Sequence, residues 1–567
     1  MSNNEKQNKM IRTVENLENK NYDLLIIGGG IYGATAAWDA SLRGLSVALV
    51  EKNDYASGTS FNSLKIVHGG LRYLQHFDFK RMRESIQERR ILSKIAPHLV
   101  FPLPCAMPTK GHLAKGPEAM RIGLLMNDLI SFDRNRDVDK EKRIPAGRML
   151  SREQLFEIIP FIEKDGYNGG ILWHDAQMYS SERLVLSFLH SAARRGADLA
   201  NHVEVLDFMI EKGRVKAVRA VDKLSGKTLQ INAKMTLNCA GPGLTPLLEQ
   251  TAGGIKSPAW STALNLVLNR SLSKEYAFGV FSTKTFRDKD ALISRGSRLL
   301  FVVPWQGITL IGTDHKPYYG DPGDYRVTQK DIDDFLGDVQ SAMPKANIRK
   351  SDIAFYYGGL LPMTGVNEES GDIQLLKHFR LIDHEKADRL PGLISLQSVK
   401  YTTARGVAEK AIDLVQTKLG DSVTSSKTAD IPVWGGDIDD YHRFVTTQLE
   451  NYQARFNRSL LLHLIRSYGS EFENVLSLID PGASPATPVA GDQSMLKAQV
   501  LYAVRNEMAK TVSDVVLRRT ELGSKGAPGS KSLSLCADVM AAELGWSDTK
   551  RQQEVEATKR IYDIIEQ

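Results

Sequence analysis

Gly28, Gly30 and Gly33 stand in a G-x-G-x-x-G pattern, and an acid, Glu51, follows eighteen residues after the last of them. In this pattern the first glycine makes a tight turn, the second lets the backbone approach a pyrophosphate, and the third allows a helix to pack closely on a strand. A helix N-terminus facing the phosphates offers free N–H groups and partial positive charge. A carboxylate at Glu51 accepts hydrogen bonds from a ribose diol and repels a 2′-phosphate, which favours FAD or NAD over NADP. Just downstream, residues 56–74 read ASGTSFNSLKIVHGGLRYL. Thr59, Ser60 and Ser63 can donate hydrogen bonds to a pyrophosphate and Lys65 can offset its charge. Gly69 and Gly70 let backbone lie close to a flat ring.

A glycine fingerprint alone is weak, so the elements around it carry the inference. An apolar strand precedes Gly28, a helix follows Gly33, and a second strand at residues 46–50 ends at the acid. Two distant segments look like pieces of the same frame. Residues 235–243, MTLNCAGPG, are an apolar strand entering a glycine turn with Ala240 and Gly241. Residues 391–405, PGLISLQSVKYTTAR, are an apolar strand turning into a polar helix start. Strand-like segments 263–268 and 299–312 are assigned to a sheet inserted between them. The predicted fold is α/β followed by α: a two-domain flavoprotein with a Rossmann-like FAD-binding domain, an inserted antiparallel-sheet substrate domain and a helical C-terminal domain. The boundaries predicted are a disordered start over 1–20, the oxidoreductase region over 21–423, a linker rich in Ser, Thr, Gly and Pro over 424–436, and helices over 437–567. Residues 481–491, PGASPATPVAG, divide the helical part as a loop.

The 567 residues carry a formal charge of +6, too diffuse to argue for nucleic acid and compatible with an anionic substrate or membrane surface. Cys105, Cys239 and Cys536 are far apart and fit no metal spacing, so they read as small buried hydrophobes in a reducing compartment. No metal site is expected. Residues 1–20 hold no apolar stretch, and nothing later approaches a run of about 18 apolar residues. A cytoplasmic chain is expected, with peripheral contact at the inner membrane face left open. Residues 120–132, MRIGLLMNDLISF, are apolar around much of a helix and are read as a packed core helix in preference to an interfacial one.

The combination of GGGIYGA, TSFNSLKIVHGGLRYL, NCAGPG, a strand ending in LIGTD, and VKYTTAR resembles the FAD-dependent glycerol-3-phosphate dehydrogenases, respiratory flavoenzymes that pass electrons to quinone. The tail segments LIRSYGSEFENVLSLI, AVRNEMAKTVSDVVLRRTELG and MAAELGWS are similar to that family's C-terminal domain in the same order, so the resemblance runs from Tyr22 to the end. It implies noncovalent FAD, oxidation of glycerol 3-phosphate to dihydroxyacetone phosphate, and electrons leaving to quinone or another acceptor. It places Arg72 and Tyr73 against the substrate and Lys400 beside both flavin and substrate oxygen. It adds His68, Val205, Tyr401 and Thr402 to the cofactor contacts. A guanidinium binds phosphate with paired donors, and an ammonium near an alcohol favours its ionised form.

The sequence also departs from the family's pattern. Gly359-Leu360-Leu361-Pro362-Met363 replaces Gly-Val-Arg-Pro-Leu, and Ala263-Leu264-Asn265 replaces Gly-Ser-His, so a phosphate ligand and an acid–base histidine are missing. Ser398-Val399 stands for a glycine pair, and Gly312-Thr313-Asp314-His315 for Gly-Thr-Thr-Asp. Lys377 stands where another phosphate-contacting arginine is expected, which keeps charge but loses the bidentate fork. His315 is the candidate replacement base, against its being a surface residue after a strand. Two other readings stand beside the leading one: the same flavin chemistry on another hydroxy acid or polyol, and an inactive flavin-binding sensor or assembly protein.

Overall fold

Leu24, Leu25, Ile26 and Ile27 are all buried, the continuous apolar run expected of a strand covered on both faces. They end strand β1 (Asn21–Ile27), which lies at the centre of a largely parallel sheet. The computed structural model describes residues 9–112, 116–249, 259–282, 298–367, 372–479, 488–489 and 492–563. With β2 (Val47–Val50), β3 (Asp198–Ala200), β4 (Thr228–Asn238) and β5 (Leu393–Gln397), the strand order is β5-β4-β1-β2-β3, all parallel. Helix α1 (Ile31–Leu42) connects β1 to β2 and packs between helices Ser181–Arg194 and Ala404–Leu419. The second half of β1 therefore lies between strands drawn from residues more than 180 positions apart, which brings the three segments singled out above into one sheet.

The second sheet is mostly antiparallel. Its order is Ile373–Leu375, Ile353–Val366, Ala259–Leu268, Ile308–Asp314, Leu299–Trp305, Ala277–Phe281, Val100–Lys110, Tyr167–Met178, Ile66–Val67. The segment 299–312 is thus a hairpin rather than one strand: Gln306 (φ 47°) and Gly307 (φ 86°) form a two-residue turn of left-handed residues. The sheet also takes in 100–110 and 167–178, which lie before the expected insertion.

Two predicted boundaries need correction. Residues 1–8 lie outside the described residues, but Met10–Asn19 is ordered: Val14–Asn19 is a helix, Met10 and Leu17 are buried, and Arg12 pairs with Asp222 at 2.5 Å. The stretch 424–436 has no regular structure yet is no loose linker. Val433 and Trp434 are buried, Trp434 N–H donates to Ser191 Oγ at 2.8 Å, and a Cβ on Gly436 would lie 2.1 Å from the Ile95 carbonyl oxygen. Of residues 481–491 only Pro488–Val489 is described, as a short strand paired with Asp492–Leu496. The C-terminal helices dock on the parallel-sheet domain through buried charges. Asp54 accepts from both Arg518 and Arg519, and Glu507 pairs with Arg183 at 2.6 Å. Despite its burial Glu507 is held down to about 2 by the Arg183 charge.

Candidate active site

The turn after β1 is built so that backbone, not side chains, faces the pocket. Gly28 has φ 105°, and a Cβ there would lie 2.6 Å from the Cys239 carbonyl oxygen at the end of β4. A Cβ on Gly33 would lie 1.9 Å from the Gly28 carbonyl oxygen, so α1 crosses β1 at a distance only glycine permits. Gly30 is the extended residue that caps α1, and no side chain of its own serves the first turn. Ser60 Oγ does so instead, accepting from Ile31 N–H at 3.0 Å. That hydroxyl keeps its proton for an anion at the same place. Glu51 accepts from Gly29 N–H at 2.7 Å and from Asn53 N–H at 2.9 Å. Burial pushes its carboxyl up while these donors oppose the shift. Each oxygen retains a lone pair for a ribose hydroxyl. Ala240, whose N–H is held by Asn238 Oδ1 at 3.1 Å, and Gly241 (φ 56°) close the turn opposite Gly28. Buried Val205 lies on the strand pair beyond Ile27 and Val50.

A second set of groups gathers around Tyr73, in the tight helical turn Leu71–His76. Gly69 N–H donates to Asp175 at 2.6 Å, and a Cβ on Gly69 would meet Arg89 at 2.3 Å, so this backbone is pinned where no side chain fits. Gly70 (φ 83°) then turns the chain into the helical residues. His68 sits edge-on to Tyr73, with ring centroids 5.8 Å apart, and its N–H donates to Thr402 Oγ1 at 3.1 Å. Lys400 Nζ lies 4.3 Å from the Tyr73 ring centroid, and the Arg81 guanidinium carbon 4.1 Å from the same centroid. Burial, helped by the Arg81 charge, pushes Lys400 down to about 8. The Lys400 loop is anchored by Tyr32, whose hydroxyl bonds to Ser398 Oγ and to the Lys400 carbonyl. Lys377 is exposed and lines a small cavity with Arg81 and Lys400, beside a cleft of about 450 Å³.

His315 follows the strand Ile308–Asp314, which pairs with Ala259–Leu268 in a register that sets Asn265 opposite Gly312 and Leu264 opposite Asp314. The residue that stands where the resemblance expects a histidine is therefore on the neighbouring strand. Asn265 Oδ1 accepts from Thr313 Oγ1 at 2.8 Å. His315 Nδ1 lies 2.9 Å from the Thr262 carbonyl oxygen. A carbonyl only accepts, so Nδ1 carries the proton and Nε2 keeps a lone pair. Burial pushes His315 down to about 4, and the charges of Arg298 and of Arg72, itself exposed, act in the same direction.

Four expected cofactor contacts have other partners. Lys65 is fully buried, 3.0 Å from Glu182 and bonded to Ser181 Oγ and the Phe61 carbonyl, so its ammonium is drawn to the start of helix Ser181–Arg194. It cannot also offset a pyrophosphate. Thr59 Oγ1 donates to the Leu360 carbonyl at 3.1 Å and Ser63 Oγ accepts from Lys65 N–H at 3.2 Å. Tyr401 directs its hydroxyl to the Ser181 carbonyl at 2.7 Å. Arg81, which the structure places against Tyr73, was not singled out in the sequence. Residues 120–132 also differ from expectation. In helix Pro117–Ile130 only Leu124 is buried, while Ile122, Leu125 and Leu129 are at least 60 % exposed, as is Phe132 just beyond it. The spacing of three and four residues puts them on one stripe. Among the described residues one acid–histidine group, Asp54, His202 and Asp514, has ligand-like spacing, but Arg518 contacts both acids and Arg519 occupies Asp54, a cationic setting unsuited to a metal ion.

Residues 23–411, more than half of the chain, match the family described as FAD dependent oxidoreductase, and residues 426–551 match the C-terminal domain of alpha-glycerophosphate oxidase. The chain belongs to the FAD-dependent oxidoreductase family. FAD is accordingly its cofactor, and the cradle of Gly28, Gly30, Gly33, Ser60 and Glu51 fits a dinucleotide. The chain is 31% identical over 577 residues to a glycerol-3-phosphate dehydrogenase of Synechocystis, covering 98% of both chains. It is 29% identical to an aerobic glycerol-3-phosphate dehydrogenase of Staphylococcus haemolyticus, covering 89% of this chain and 88% of that one. A solved glycerol-3-phosphate dehydrogenase from Bacillus halodurans, complexed with FAD, is similar over 98% of both chains, with 26% identity and a TM-score of 0.74.

Proposed function

We propose that this FAD-dependent oxidoreductase oxidises glycerol 3-phosphate to dihydroxyacetone phosphate and passes the electrons to a membrane quinone. One observation carries the reading: a cluster of cations, Lys400 and Arg81 against Tyr73 with Lys377 on the same cavity, beside a dinucleotide cradle. The full-length likeness to enzymes named for this reaction supports it. Bound FAD supplies the two-electron acceptor. Arg72, Lys377 and Lys400 hold the phosphate, Tyr73 walls the pocket, and His315 Nε2 takes the proton of the secondary hydroxyl. The lowered basicity of His315 keeps it neutral, and so able to accept, throughout the neutral range.

Anaerobic mixing tests the reading. Glycerol 3-phosphate should bleach the flavin, with glycerol far weaker. Bleaching by an unphosphorylated hydroxy acid in place of glycerol 3-phosphate would favour the alternative that Leu361 and Asn265 suggest. A flavin that only dithionite reduces would mark an inactive binder.

Contact with an anionic membrane surface fits the same role. The stripe Ile122, Leu125, Leu129 and Phe132 is joined by exposed Phe77 and Phe79, and Arg121, Lys80 and Arg136 are exposed around it. Apolar side chains flanked by cations suit an interface of acyl chains and anionic headgroups. Among the described residues no helix is long and apolar enough to cross a membrane. Leu129→Glu with Phe132→Glu should abolish co-sedimentation with anionic vesicles and leave reduction by glycerol 3-phosphate in solution intact.

A further inference from the structure

Leu361 stands where the resemblance expects a guanidinium for a phosphate, yet the fold brings another, that of Arg81, to the cavity lined by Lys377 and Lys400. Leu376 N–H donates to the Pro362 carbonyl at 3.0 Å, so Lys377 follows directly on the strand position next to Leu361. Lys377 shares its cavity with Lys400 and Arg81, and Arg81 also lines the wider cleft. The Arg81 side chain is 12 % exposed, with Nη1 3.3 Å from Asp78 and Nε buried without a hydrogen-bond partner. Glu84, which lines this cavity as Asp78 lines the cleft, lies 3.4 Å from Lys410 Nζ. His378 adds a titratable group to the wall, 3.8 Å from Asp78. Three cations thus meet two acids, and Lys400, whose ammonium is destabilised mainly by burial, also feels the Arg81 charge against the opposing pull of Glu84 and Asp78. An anion would relieve that repulsion. Arg81 also belongs to the first turn of the 17-residue helix α2 (Phe79–Ile95), whose positive end adds to the field.

We infer that Arg81 is a phosphate ligand of the substrate site, its fork taking two oxygens of a phosphomonoester while Lys377 and Lys400 act as point charges. The inference rests on the reading that the substrate is a phosphorylated alcohol. The residue comes from α2 instead of the strand that carries Leu361, so the phosphate would be approached from the Tyr73 side of the pocket.

The holoenzyme, Arg81→Met and Arg81→Lys provide the test, with inorganic phosphate as probe in calorimetry and glycerol 3-phosphate and glycerol as paired substrates. Arg81→Met should weaken inorganic phosphate about ten- to a hundredfold, with Arg81→Lys between it and wild type. KM for glycerol 3-phosphate should rise by the same factor while KM for glycerol does not. Phosphate affinity within twofold of wild type in a flavin-loaded Arg81→Met protein overturns the inference, as does absence of phosphate binding by the wild type. A parallel rise of KM for both substrates overturns it too, since that marks Arg81 as a support for Tyr73. If Arg81→Met fails to load flavin, Arg81→Lys decides: unchanged phosphate affinity rejects the site and several-fold weakening supports it. If glycerol 3-phosphate does not reduce the wild-type flavin but phosphate binding still falls with Arg81, the proposed function fails and the anion site stands.

Discussion

The cofactor cradle and the substrate end lie in one molecule but are made of different material. The cradle is mostly backbone: Gly28, Gly30 and Gly33, the first turn of α1 and Glu51 fall within twenty-four residues of chain and need little from elsewhere beyond Ser60 and the Cys239 turn. The proposed substrate end is side chains on long tethers, with Tyr73 and Arg81 meeting Lys377 and Lys400 from segments some three hundred residues further along the chain. A backbone cradle tolerates no added atom at its closest contacts, whereas a ring of side chains can exchange one cation for another. That difference accounts for a complete glycine fingerprint beside Leu361, Asn265 and Lys377, which depart from the pattern that the resemblance implies.

The harshest challenge to the comparison is a methyl group in the cradle. Gly33→Ala places a carbon 1.9 Å from the Gly28 carbonyl, and Gly28→Ala adds left-handed strain to a 2.6 Å clash. Both should purify without flavin while circular dichroism shows retained helix. Stoichiometric flavin absorbance in either would show that the cradle is as forgiving as the substrate end. Next in size, His315→Gln should slow anaerobic flavin reduction by about 10²–10⁴-fold at unchanged flavin content, the usual contribution of a positioned base. A rate within threefold of wild type would remove His315 from the chemistry.

A gain of function sharpens the contrast further. Leu361→Arg should tighten glycerol 3-phosphate by up to about one to two decades, since a charged hydrogen bond contributes about 1.5–3 kcal/mol. Loss of turnover instead would mean that a guanidinium is buried there unpaired. The gentlest probe is pH. Lys400 carries its charge below about 8 and loses it as pH rises through that value, so KM for glycerol 3-phosphate should climb above pH 8. His315 accepts a proton only above about 4, so kcat/KM should fall as pH drops through that value. A flat KM between pH 7 and pH 9 would exclude Lys400 from phosphate binding.

The same division sets what the sequence could reveal. The glycine turn, the acid of β2 and the three strands around β1 are local patterns whose spacing is dictated by a dinucleotide, and all were readable. Strand Val100–Lys110 was not, because Pro102, Pro104 and Pro108 argue against a strand interior. They are tolerated because the strand has its second neighbour only at Cys105 and Ala106. Lys65 misled for the opposite reason. Its place among hydroxyls and glycines resembles a phosphate loop, yet Glu182, contributed by a helix more than a hundred residues away, draws it inward. Arg81 and the exposed stripe of helix Pro117–Ile130 were hidden because which face a helix buries depends on packing that only the assembled fold supplies.

Asp54 sits three residues beyond Glu51, and the short stretch it begins touches both the cofactor cradle and the helical domain. Ala56 N–H donates to the Gly29 carbonyl, the Tyr55 ring packs on Gly29, and Asp54 is gripped by Arg518 and Arg519 of the helical domain. Cofactor loading and docking of the helical domain therefore share a single mechanical element, and thermodynamic reciprocity follows. Whatever factor the docked helices add to the affinity for FAD, FAD must return to the docking equilibrium, so apoprotein should shed its C-terminal helical domain to proteases before its parallel sheet is cut.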